Sequence, residues 1–203
     1  VVCVLTSMEE PLGRAVGNNL EVKEAINFLK GDMPEDLQEV VLELGSYMIK
    51  LAGLGENLAQ NKKRMLENIQ NGKAFSKLKQ MVQNQGGDIS YLEDTDKFEK
   101  AQFVEEILAS QDGYIQEINA EDIGKVACNL GAGRIKKEDD IDYAVGIVLD
   151  KKVGANVQKG EVLGTIYAND VSKLKEAQKQ INDIIKIDDK YCEKIQTILE
   201  FLN

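Results

Sequence analysis

The sequence predicts an α+β fold, mainly helical over residues 1–100 and barrel-like over residues 101–203. Three observations carry this expectation. Apolar residues recur at helical spacing between Val22 and Leu51, and capping signals delimit further helices as far as Gln85. Beyond about Lys100, short β-like runs punctuated by glycine replace that spacing. Between the two textures lies a polar stretch, Asp88 to Lys100, which reads as a linker and marks the boundary between two domains.

Val1 to Leu5 is apolar without alternation and rich in Val, the pattern of a strand covered on both faces as in a parallel sheet. The chain opens directly in this run without a methionine, so it is expected to be the later part of something larger. A loop with Pro11, Gly13 and Gly17 follows, and Asn18 or Asn19 is suited to cap the next helix. There Val22, Ala25, Ile26 and Leu29 line one face, and Gly31 ends it. Pro34, Glu35 and Asp36 begin a second helix, with proline first and acids near the positive end of the dipole. Its apolar stripe is Leu37, Val40, Val41, Leu44, Met48 and Leu51. Two more helices are expected, Glu56 to Gln70 and Lys73 to Gln85, parted by Gly72 and closed by Gly86-Gly87.

In the second half, strands are predicted at Gln102 to Leu108, Gly113 to Ile118, Tyr143 to Leu149 and Val162 to Tyr167. A helix from Glu121 to Leu130 ends at Gly131-Ala132-Gly133, and another runs from Val171 to Ile185. Ile195 to Leu202 reads as a final strand.

Composition narrows the function classes. With 203 residues, 43% hydrophobic and 30% charged, the chain has the makeup of a globular protein. A net charge of −10 argues against nucleic acid and anionic membranes as partners, since both need a basic face. No apolar run is long enough for a membrane span. Cys3, Cys128 and Cys192 are odd in number and widely spaced, which suggests buried or idle thiols in a reducing cytoplasm. The absence of histidine excludes Ser-His-Asp, Cys-His and histidine–metal chemistry within these residues.

Several short patterns invite a functional reading. Glu9-Glu10 is not a catalytic pair, because adjacent side chains point apart; no role is assigned to Ser7, Glu9 or Glu10. Gly131-Ala132-Gly133-Arg134 has the look of a phosphate cradle, yet it follows a helix and meets the negative end of its dipole, so a helix cap is the better reading. The run Val157-Gln158-Lys159-Gly160-Glu161-Val162-Leu163-Gly164-Thr165-Ile166 resembles biotinyl and lipoyl carrier domains, where a Lys-Gly turn joins short barrel strands. Carriers also need a lysine at a hairpin tip. Here the chain continues Tyr167-Ala168-Asn169-Asp170-Val171, so the scaffold lacks the swinging arm.

Four stretches in order carry a more specific resemblance: Thr6-Ser7-Met8-Glu9-Glu10-Pro11-Leu12-Gly13, Gly17-Asn18-Asn19-Leu20-Glu21-Val22, Asp140-Ile141-Asp142-Tyr143-Ala144-Val145-Gly146, and the Lys159-Gly160-Glu161 turn. Together they resemble the pyrimidine-nucleoside phosphorylases (the thymidine phosphorylase family), in the later part of that chain. The resemblance implies that residues 1–100 are the end of an α/β catalytic domain and residues 101–203 a barrel-like, hammerhead C-terminal domain. It also implies reversible phosphorolysis: phosphate attacks the anomeric carbon of uridine, thymidine or deoxyuridine, releasing the base and (deoxy)ribose 1-phosphate.

Such a reaction develops positive charge on the sugar and negative charge on the leaving base, so it calls for a phosphate cradle and donors at the base. The family's groups for these tasks precede the region represented here. No catalytic or substrate-binding residue is therefore assigned, and the chain alone is expected to be inactive, awaiting an N-terminal half. The resemblance further implies a structural monovalent cation, K+ or Na+, held by the backbone carbonyls of Leu12 and Ala15 and the side chain of Glu24. A homodimeric, cytoplasmic parent is implied as well. Two other readings compete: a non-catalytic binding or scaffold module on the barrel-like half, and the sister anthranilate phosphoribosyltransferases, against which the Lys-Gly-Glu domain argues.

Overall fold

The computed structural model describes residues 1–202. In chain order the elements are β1 (Cys3–Thr6), β2 (Ala15–Val16), α1 (Asn18–Leu29), α2 (Glu35–Leu51), α3 (Leu58–Gln70), α4 (Lys73–Asn84) and α5 (Ser90–Glu93). They continue with β3 (Phe103–Leu108), β4 (Gly113–Ile118), α6 (Ala120–Ala127), β5 (Gly146–Leu149), β6 (Asn156–Val157), β7 (Val162–Ala168), α7 (Val171–Ile184), β8 (Ile185–Asp188) and β9 (Ile198–Leu202). The α+β mixture predicted from the sequence is present. The chain divides into two compact units: residues 1–7, 23–97 and 196–202 form one, and residues 8–22 and 98–195 the other.

The first unit is helical apart from one two-stranded ribbon. Here β1 pairs antiparallel with β9, from Cys3 opposite Leu202 to Thr6 opposite Ile198. This corrects the expectation of a parallel strand covered on both faces: Leu5 is 41% exposed and β1 alternates between exposed and half-buried residues. A Val-rich run specifies extended backbone, but the partner and the burial are set by residues nearly two hundred positions away. The α2 stripe is likewise only partly covered, since Met48 is 66% and Leu51 61% exposed.

Polar groups join α2 to α3. Asn61 is buried and its amide donates to Ser46 O at 3.1 Å and Gly55 O at 2.8 Å. Ser46, fully buried, turns its hydroxyl to Glu43 O. Lys62 pairs with Glu43 on the same pair of helices. Gly45 leaves the space that the Met65 thioether fills. At its start, α3 is capped by Asn57, whose side chain accepts from Gln60 N–H at 3.0 Å.

Asp88 to Lys100, expected to be a plain linker, contains α5 and a short 3-10 turn at Thr95–Lys97. Leu92 is buried and its carbonyl accepts from Lys30 Nζ, while Lys79 pairs with Glu93 at 2.6 Å. Leu92 is the one buried side chain between Asp88 and Lys100, with Ile89 and Phe98 half-buried beside it in sequence.

The second unit is built on two antiparallel sheets. One has the order β2-β5-β7-β3 and the other β6-β4-β8. Their inward faces supply the core, including the fully buried Ile115, Ile147, Leu149 and Ile166. Helix α7 packs on β7 and β3, and α6 packs on α7, contributing Ile123, Leu174 and Ile181 to the same core. Of these strands, β2, β6 and β8 escaped the sequence reading; β8 follows α7 without a break and pairs with β4 from Ile185 opposite Ile118. The expected helix to Leu130 ends at Ala127 and widens into a π-type turn, Cys128–Ala132, where Gly131 takes φ 121°.

All three cysteines are free thiols; Cys3 is exposed and Cys128 and Cys192 are half-buried, so of the expected buried or idle thiols none is buried.

Candidate functional site

The site lies in the second unit, where the loop from Met8 to Gly17 runs into α1. The residues alternate sharply: Pro11, Gly13, Ala15 and Gly17 are buried, while Leu12 is 45% exposed. This is an extended segment laid against a surface, with a left-handed turn at Gly13, φ 69°. Its anchors come from the barrel strands and their loops. Leu149 N–H donates to Arg14 O at 2.8 Å, and Ala120 N–H to Glu9 O at 3.2 Å. The Glu10 carboxylate accepts from Val153 N–H at 3.1 Å, and the Lys152 ammonium donates to Pro11 O. Ala15 and Val16 then pair with Val148 and Ile147 as β2, an edge strand.

Helix α1 begins at Gly17, not through an asparagine side chain as expected. Glu21 reaches back so that its Oε1 accepts from Gly17 N–H at 3.0 Å, the reciprocal half of a capping box displaced by one residue. Asn18 turns outward from its own helix, its Nδ2 donating to Ala132 O at 2.7 Å. Asn19 N–H donates to Tyr143 O at 3.1 Å. The helix start is thus tied to both flanks of the loop between α6 and β5.

Beside it opens a cavity of about 380 Å³, lined among others by Gly17, Asn18, Glu21, Cys128 and Gly133. From the Gly-Ala-Gly-Arg run, which continues α6, Ala132 and Gly133 line it. Gly131 O accepts from Asp142 N–H, and Arg134 Nε donates to Asp139 O at 3.1 Å.

The Lys-Gly-Glu turn is a closed structural corner. Gln158 N–H donates to Glu161 Oε2 at 2.9 Å, Lys159 N–H to Asp112 Oδ1 at 2.7 Å, and Lys151 pairs with Glu161 at 2.7 Å. The hydrogen bond from Lys151 and that from Gln158 N–H hold the Glu161 carboxyl below its ordinary range. Where a carrier domain would present its lysine, Asn169 Oδ1 accepts from Gln102 N–H, and its Nδ2 donates to Asp142 Oδ2. Asp170 caps α7 by accepting from Ser172 N–H, Ser172 Oγ and Lys173 N–H. That tip is committed to starting a helix.

Of the three residues expected to hold a cation, Leu12 and Ala15 lie in this unit and Glu24, half-buried, in the other. The donors are two neutral carbonyls and one carboxylate, hard oxygens with a single negative charge, which suits a singly charged alkali cation better than a transition metal. Among the described residues no cluster of three or more His, Cys, Asp or Glu side chains could hold a metal ion. The sequence reading missed Glu10, Lys152 and Gly146. Their partners are more than a hundred residues away, and only the dipeptide Glu9-Glu10 gave a signal, dismissed because adjacent side chains diverge. In the structure the Glu10 carboxylate accepts from Val153 N–H.

Residues 114–188 match the family model of the pyrimidine nucleoside phosphorylase C-terminal domain, a stretch that lies within the second unit. The chain is 50% identical over 168 residues to a pyrimidine-nucleoside phosphorylase of Bacillus subtilis (strain 168), covering 83% of this chain and 39% of that protein. A pyrimidine-nucleoside phosphorylase of Staphylococcus aureus (strain USA300) is 43% identical over 185 residues, covering 91% of this chain and 41% of its own length. The chain belongs to the pyrimidine-nucleoside phosphorylase family, of which it carries a C-terminal portion. It spans about two fifths of the length of these relatives. No helix of the described residues is long and apolar enough to cross a membrane.

Proposed function

We propose that this chain is part of a pyrimidine-nucleoside phosphorylase that converts uridine, thymidine or deoxyuridine and inorganic phosphate into free base and (deoxy)ribose 1-phosphate. The observation that carries the reading is the identity of 50% over 168 residues to a protein of that name. Residues 1–100 then complete the α/β catalytic domain and residues 101–203 form the C-terminal domain. Phosphate and base are bound by residues outside this chain, in an N-terminal half, and the parent is a cytoplasmic homodimer. The 203-residue chain alone is inactive.

Leu12, Ala15 and Glu24 hold K+ or Na+ in the parent. The cation supplies charge that orders oxygen-bearing backbone; it takes no part in bond making. The carrier reading finds no support at the junction of β7 and α7, where Asn169 and Asp170 are engaged with Gln102 and with the start of α7.

The test is uracil release from uridine and phosphate, with intact mass measured on the same sample. The full-length protein is expected to release uracil and the 203-residue chain to release none. No phosphate-dependent release from a folded full-length protein would reject the reading.

A further inference from the structure

Two anchors of the Glu10–Arg14 turn come from consecutive residues, Lys152 and Val153, in the loop between β5 and β6. They act in opposite senses: Lys152 donates to the carbonyl of Pro11, and Val153 N–H donates to the side chain of Glu10. Pro11 is buried and, as a proline, its carbonyl is its sole backbone polar group. An ammonium is a strong partner for that oxygen, because a charged donor shortens and strengthens the bond in a poorly solvated place. On the far side of Leu12, Gly13 is buried in its left-handed turn and Arg14 O is fixed by Leu149 N–H. Leu12 itself has an exposed side chain, so its peptide is steered by its neighbours and not by packing of its own.

We propose that Lys152 and Glu10 are positioning residues that clamp the Glu10–Arg14 turn to the barrel unit and thereby set the direction of the Leu12 carbonyl toward the cation. This rests on the cation reading above. Neither residue is a ligand. Each holds the ligand-bearing turn from behind, as outer-shell partners hold metal ligands. The C-terminal domain, which supplies no substrate contact in the proposed function, then tunes cation affinity.

The experiment uses the full-length protein and its K152M, K152R, E10A and E10Q variants. Thermal midpoints are followed as KCl replaces tetramethylammonium chloride at constant ionic strength. The unaltered protein is expected to show a K+-specific rise with a defined half-point. K152M and E10A move that half-point at least about tenfold toward higher K+, whereas K152R stays within about threefold. If K152M does not fold, E10A carries the test with its half-point shifted in the same direction, and E10Q, which keeps an oxygen to accept from Val153 N–H, is its conservative control. A lowered melting temperature with an unchanged K+ half-point in the variants overturns the positioning role while leaving the cation reading intact. Absence of any K+-specific rise in the unaltered protein overturns the cation reading and the clamp together.

Discussion

Gly17 and Gly146 stand backbone to backbone at the junction of β2, α1 and β5. A Cβ on Gly17 would lie 2.6 Å from Val145 O and 3.1 Å from Gly146 Cα; one on Gly146 would lie 2.3 Å from Val16 O and 3.0 Å from Gly17 Cα. Both have positive φ, 145° and 151°. The pair lets the start of α1 touch the edge of the barrel sheet, and neither residue tolerates a side chain. Gly146→Ala is expected to cost roughly 2–4 kcal/mol, from strain and overpacking together. Urea unfolding of the variant checks this, and a loss below about 0.5 kcal/mol would show that the two backbones are not in contact.

Asn61 offers a second test, in the helical unit. Its buried amide serves two carbonyls, Ser46 O and Gly55 O. Asn61→Ala leaves both without this donor and is expected to destabilise the chain by about 1–3 kcal/mol. Asn61→Leu, which keeps volume and removes the donor, gains nothing back if the carbonyls govern. Guanidinium denaturation of the two variants side by side distinguishes packing from hydrogen bonding.

Asp170 makes a prediction about pH. The Ser172 hydroxyl, then the N–H groups of Lys173 and Ser172, hold its carboxyl below the ordinary value. A folded pKa below the unfolded one means that the stabilisation is fully present above the unfolded pKa. It is lost as pH falls through the folded pKa. Asp170→Ala is therefore expected to lower the melting temperature at neutral pH and to have less effect in acid. Asp170→Asn keeps a capping oxygen and removes the acid dependence. Carboxyl NMR titration should show Ser172→Ala raising the Asp170 pKa toward its ordinary value.

Met48 and Leu51 test the uncovered face of α2. Both are more than half exposed, so Met48→Glu and Leu51→Lys are each expected to change the unfolding free energy of this 203-residue chain by less than about 0.5 kcal/mol. A large loss in calorimetry would place these side chains in a core.

Helices were the most legible part of the sequence, and the reason is local. The stop at Gly31, the break at Gly72 and the acids after Pro34 act within one turn of the residues they control. The four main strands of the barrel unit were legible for the same reason, each bounded by its own turn residues. Pairing was not. Val1 to Leu5 announces a strand, but only Ile198–Leu202 decides that it lies antiparallel and half-covered. Strand β8 was hidden because its alternation, Ile185-Lys186-Ile187-Asp188, begins where the α7 pattern ends. At the site, Leu12 and Ala15 came from resemblance, whereas Glu10 and Lys152 are joined across 143 and 141 residues of separation to their partners. Nothing in either short segment names the other.

The occupied tip after β7 has a consequence for motion. In carrier proteins that turn is the moving part: a tethered group sweeps between stations while the barrel stays still. Here the same corner is bolted to the chain on both sides, through Asn169 to Gln102 and Asp142 and through Asp170 to α7. This corner of the chain is a fixed bracket, and with Tyr167 to Val171 holding no lysine it offers no handle for a tethered group.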